Sequence, residues 1–109
     1  MKKKKSLDYT VRAVVYLLKE RPALESLKEA GDITATQLLV DLEAILNEAQ
    51  PTDKQRQAME LVWVQGYKLV EAGEMLGITA QGVYFNLKLL QKKIQGVTER
   101  RSKNGKRIR

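Results

Sequence analysis

The sequence contains no cysteine and no histidine. Their joint absence removes disulfides, thiolate nucleophiles, zinc fingers and histidine acid–base catalysis. Proline occurs twice, and tryptophan and phenylalanine once each. No apolar run approaches the ~20 residues that a membrane-spanning helix requires. Lys2 to Lys5 carry the charge of a signal-peptide start, but Asp8, Arg12 and Lys19 interrupt the next stretch and no apolar segment forms. Strand-period alternation is also missing.

What is present is a chain of 109 residues, 43% hydrophobic. That suffices for one domain with a modest core. The net charge is +7, and it is unevenly spread. Half of the 20 basic residues lie in two tails, Lys2 to Lys5 and Arg100, Arg101, Lys103, Lys106, Arg107 and Arg109. Residues 6–50 hold four basic and eight acidic residues, a net of −4. Residues 51–97 hold six and four, a net of +2. A basic tail is either a solvated end or a source of attraction for polyanions.

The periodicity predicts an all-α fold. Leu7, Val11, Val14, Val15 and Leu18 keep one face of a helix from about Ser6 to Arg21. Pro22 sits where a second helix can start, Leu24 and Leu27 give it an apolar side, and Gly31 closes it. Thr34 with Gln37 has the spacing of a capping box, opening a third helix through Leu38, Leu39, Leu42, Ile45 and Leu46. Thr52 with Gln55 makes a second box and opens a helix through Met59, Leu61, Val62 and Trp63 to Gly66. A short helix comes next, from Leu69 to Leu76. Gly77 turns the chain, Thr79 caps, and a long helix is expected to about Ile94, with Gly96 ending it. Thr98 to Arg109 is expected to be a disordered basic tail. The organisation expected is therefore a tail at 1–5, helices at 6–50 for packing or interaction, a helix-turn-helix at 51–97, and a tail at 98–109.

Residues 70–94 carry the most specific signal. Two helices meeting at a sharp angle need a small residue at the contact, and Gly73 lies one turn before the bend. Gly77 tolerates the turn, Ile78 tucks beneath it, and Thr79 caps the second helix. Val83, Leu87, Leu90 and Ile94 seat that helix on the core.

Over Thr52 to Ile94 the chain resembles the fourth conserved region of bacterial sigma factors. The positions that correspond to its motifs are Pro51-Thr52, Gln55-Arg56, Trp63, Gly66, Glu71-Ala72-Gly73, Leu76-Gly77-Ile78-Thr79, Val83 and Lys92-Lys93-Ile94. LuxR-type domains are similar, but their first helix is usually one residue shorter and another helix follows the recognition helix. The size and layout resemble small phage and prophage transcription regulators. Departures are Pro51 in place of a leucine, the small Ala72-Gly73 pair, and a recognition helix without arginine. The promoter-melting region of sigma factors has no counterpart, because the N-terminal half offers only Tyr9 and Tyr16 as aromatics.

With Val83 as the buried direction and an advance of ~100° per residue, Gln81, Phe85, Lys88 and Lys92 fall at roughly 140–200°, on the outer face, with Tyr84 beside them. Gln81 has the chemistry for an adenine edge, and Phe85 and Ala80 for thymine methyls. Lys88, Lys92 and Tyr84 suit phosphates, as do Thr79 and the helix N-terminus. Lys68, Arg56 and Lys54 are candidates for backbone contacts from preceding helices, and Arg100 and Arg101 from the tail. Phe85 has two readings, a thymine methyl or a protein surface.

The resemblance implies a DNA-binding transcription regulator of phage or prophage origin, working in the cytoplasm of a bacterial or phage-infected cell, with RNA polymerase as a second partner. The alternative is an interaction module that binds RNA polymerase or a sigma factor with little DNA affinity of its own. Neither requires a cofactor, metal or membrane. An enzyme is not expected, since Glu71 and Glu74 share a helix face with no nucleophile beside them. Leu39, Leu42, Leu46 and Ala49 follow heptad spacing, widened by Val40 and Ile45. That raises a homodimer, or packing of the same stripe on the first helix.

Overall fold

A computed structural model describes the backbone of residues 10–108 and the side chains of residues 10–102. The expected Ser6 to Tyr9 start of the first helix, the Lys2 to Lys5 tail and Arg109 lie outside the described residues. Among the described residues there are six α-helices, one π-helical stretch and no strand. The all-α expectation holds.

Helix α1, Val11–Lys19, begins at Thr10, whose hydroxyl accepts from the Ala13 N–H at 3.1 Å. It turns directly at Glu20 into α2, Arg21–Glu29, with Pro22 in the first turn, where its missing N–H costs nothing. Gly31, at φ 94°, ends that segment. Helix α3, Ile33–Ala49, is capped by Asp32 rather than by the expected Thr34. The Asp32 carboxylate accepts from the Ala35 N–H at 2.9 Å. A carboxylate is the stronger cap and sits where the positive end of the helix dipole favours it, so the helix starts before Thr34 is reached. Gln37, freed from a box, donates to Asp41 at 3.1 Å.

The apolar stripe of α3 turns inward. Leu42, Ile45, Leu46 and Ala49 are buried, and α3 packs on α2 and α6 as well as on α1. The heptad spacing thus serves the core of one chain, with a broader set of partners than α1 alone. Val40 remains exposed.

Gln50 leaves α3 in the left-handed region at φ 52°. The expected box at the next helix is present in both halves. Thr52 Oγ1 accepts from the Gln55 N–H at 3.1 Å, and Gln55 Oε1 accepts from the Thr52 N–H at 3.0 Å. Helix α4, Asp53–Ala58, runs on into a π-helical stretch, Met59–Val64, where the Gln65 N–H reaches back to Glu60 O at 2.9 Å. The wider turn brings Met59 and Trp63 into the core together. Helix α5, Leu69–Leu76, has the expected bounds.

Helix α6, Ala80–Ile108, is longer than the sequence suggests. It passes through Gly96 and continues to Ile108, so the described part of the segment expected to be a disordered tail is helical. The reason is tertiary. Val97 is 1% exposed and Thr98 5% exposed, directly after the glycine. A glycine within a helix costs about 1 kcal/mol relative to alanine. Burying one valine side chain returns about 1.5–3 kcal/mol, so the helix propagates. The core assembles Val14 and Leu18 of α1 with Ile45 and Leu46 of α3, Met59 and Trp63, and Val83, Leu90, Ile94 and Val97 of α6.

Candidate nucleic-acid interface

The α5–α6 corner follows from three short-range constraints. Gly77 adopts φ 73°, which a side chain resists. The Ile78 N–H donates to Gly73 O at 2.9 Å, closing the C-terminus of α5. Thr79 Oγ1 accepts from the Gly82 N–H at 2.9 Å, opening α6. Gly73 is essential for space: a Cβ there would stand 2.6 Å from Ile78 O. The small residue at the corner thus has a defined obstacle, the backbone of the turn itself.

With the corner fixed, α6 divides as its periodicity predicts. Val83, Leu90 and Ile94 are fully buried and Leu87 nearly so. Thr79, Gln81, Tyr84, Phe85, Lys88 and Lys92 are exposed, and Ala80 is half-buried. Phe85 is 62% exposed and Tyr84 51%. Among the described residues Phe85 therefore has no seat in the core, and their packing does not account for it. The Lys88 ammonium lies 5.9 Å from the Tyr84 ring centre, at the limit of a cation–π contact. Asn86, on the flank, donates to Gly82 O at 2.9 Å and so serves the helix.

The remaining candidates are spread over other elements. Lys68 is exposed at the cap of α5, where its N–H donates to Glu71 Oε1 at 2.9 Å. That contact gives Glu71 a capping role. Arg56 and Lys54 are exposed on α4. Arg101 has a partner within the chain. Its Nε donates to Glu48 of α3 at 2.8 Å, so it ties the end of α6 to the N-terminal helices. Arg100 follows the same helix rather than a free tail, with Nη1 lying back toward Gly96. By the ~100° advance per residue, neither arginine shares the face of Gln81 and Phe85.

One bridging residue has no clear signature in the sequence. Lys93 Nζ donates to Gln55 Oε1 at 2.9 Å and to Gln50 O at 3.3 Å. It locks α6 against the α3–α4 junction and so fixes where the outer face points. In the sequence Lys93 is marked only as part of the basic Lys92-Lys93-Ile94 end and as a position off that face.

Among the described residues, no group of acidic side chains is arranged to hold a metal. No helix there is long and apolar enough to cross a membrane.

No curated protein and no solved structure matches the chain. A family model described as ECF sigma factor matches residues 18–100. The match starts within α1 and ends in α6 at Arg100. It includes α2 and α3, well beyond the Thr52 to Ile94 segment whose motifs carry the resemblance. This is a family of transcription factors, not of enzymes. With most of its length matched and a region 4-type helix-turn-helix inside the match, the chain belongs to the ECF sigma factor family.

Proposed function

We propose that this protein regulates transcription by binding duplex DNA through the first turns of α6, in concert with RNA polymerase. Family membership supports the coarse role, a sigma-like association with DNA and polymerase. The finer reading rests on one observation. The corner at Gly73, Gly77 and Thr79 holds Gln81, Tyr84, Phe85 and Lys88 outward on a helix whose other side is buried.

Each side chain has a task in that reading. Gln81 bonds an adenine edge in the major groove, a contact worth about 1–3 kcal/mol of discrimination. Phe85 packs on a thymine methyl. Lys88 and the Tyr84 hydroxyl meet phosphates, as do Thr79 and the free N–H groups of the first turn. Lys92, Lys68 and Arg56 supply further backbone attraction. The short helical N-terminus joined to such a domain fits the layout of small phage and prophage regulators.

A second reading, binding of polymerase or a sigma factor with little DNA affinity, draws on the exposed apolar residues outside α6. Val70 and Met75 on α5 are more than half exposed, as are Ile33 and Val40 on α3. Selection of bound duplexes from a random pool, with and without RNA polymerase, separates the two. An enriched motif in either arm supports DNA reading. Polymerase capture without enrichment supports the second.

A further inference from the structure

Helix α1 differs from the rest of the N-terminal half. Residues 6–50 are acidic on balance, yet Val11–Lys19 contains Arg12 and Lys19 and no acid. Arg12, Val15, Tyr16 and Lys19 follow the i, i+3, i+4, i+7 spacing of one helix face. Val14 and Leu18, on the opposite side, are fully buried, and Tyr16 is 61% exposed. The basic face of α1 therefore looks outward.

The fold lays that face beside α6. One shallow groove is lined by Val11, Arg12, Val15, Tyr16, Lys19 and Gln91. The adjoining groove joins Thr10 and Val11 to Lys88, Gln91 and Lys92. Val11 and Gln91 border both, so Arg12 and Lys19 continue a surface that starts at Lys88. Among the described residues, no carboxylate is paired with any of these four cations. Glu99, at the far end of the second groove, accepts from Gln95 Nε2 at 3.1 Å.

Distance along α6 makes this surface meaningful. Gln91 lies ~15 Å along the helix axis from Gln81, and the major groove is about 12 Å wide. A helix seated by its first turns carries Gln91 to the groove edge, with α1 alongside. Phosphates line that edge. We propose that α1 is a second DNA contact, in which Arg12 and Lys19 hold the phosphates bordering the groove that α6 enters, with the Tyr16 hydroxyl donating between them. This rests on the reading that α6 binds duplex DNA. It extends the interface to a helix whose acidic surroundings favour a protein partner on charge alone.

The test is equilibrium binding of the full chain to the duplex enriched from the random pool, or to mixed-sequence duplex if none is enriched, across a salt series. Arg12→Ala/Lys19→Ala should lower the magnitude of the log–log salt slope by about 1.8, at ~0.9 for each phosphate no longer held. Base preference should not change, and Arg12→Lys/Lys19→Arg should restore the slope. Lys28→Ala, on α2, should leave it unaltered. Unfolding midpoints equal to wild type confirm intact folding, and Arg12→Gln/Lys19→Gln provides a second pair. An unchanged slope in both pairs, while Gln81→Ala weakens binding, overturns the role of α1 and leaves α6 standing. An equal drop with Lys28→Ala reduces the effect to net charge and also overturns it. Absence of duplex binding by the wild type removes both.

Discussion

Lys93 donates to Gln55 Oε1 at 2.9 Å, across 38 positions of sequence. The same oxygen already accepts from the Thr52 N–H in the capping box that opens α4. One amide oxygen thus closes a helix start and anchors α6. Gln55 is only 4% exposed, so its removal takes a buried acceptor away from two partly buried hydrogen bonds. Gln55→Ala should lower stability by about 1–3 kcal/mol. Lys93→Met should cost less, about 1 kcal/mol, because the ammonium is partly solvated and its aliphatic stem is retained. Urea unfolding of both variants checks the order.

Two glycines should respond in opposite directions. Gly73→Ala forces a Cβ to 2.6 Å from Ile78 O, a backbone atom that cannot swing aside. The corner must open, with a stability loss of about 2 kcal/mol or more and weakened DNA binding. Gly96→Ala meets only the tip of Arg100 at 3.7 Å. In mid-helix it should stabilise by about 0.5–1 kcal/mol. Thermal unfolding of the pair reads both signs.

Arg101 and Glu48 form an exposed ion pair, with side chains 40% and 49% exposed. Arg101→Ala should cost no more than about 0.5 kcal/mol. It should also leave the salt slope of DNA binding close to wild type, because this guanidinium is directed at α3. A fall in slope of about 0.9, the effect of giving up one phosphate, would return Arg101 to the interface.

The corner was legible because its rules are local. Gly73, Gly77, Thr79 and Val83 each answer to neighbours within a few residues, and α5 emerged with the bounds its sequence suggests. The Thr52–Gln55 box was legible for the same reason. The passage of α6 through Gly96 was not, since it depends on burial of Val97 and Thr98 against distant helices. The choice of Asp32 over Thr34 was a contest between two reasonable caps. The outer face of α6 could be drawn from periodicity, but the basic strip on α1 required knowing that α1 lies beside Gln91.

Phe85 concentrates the functional question, because it is large, apolar and 62% exposed. Phe85→Ala should change stability by no more than about 0.5 kcal/mol. It should weaken binding at sites with a thymine facing that position and have a smaller effect where the thymine is replaced by uracil, which lacks the methyl group.

The most direct measurement is the affinity of the wild type and of Gln81→Ala/Phe85→Ala for the enriched duplex, with polymerase wherever enrichment requires it. Both side chains are exposed, so the variant should fold as the wild type does. DNA reading through α6 predicts at least a tenfold loss of affinity, about 1.4 kcal/mol, together with a flattened sequence preference. Equal affinity and an unchanged preference in a folded variant would contradict it.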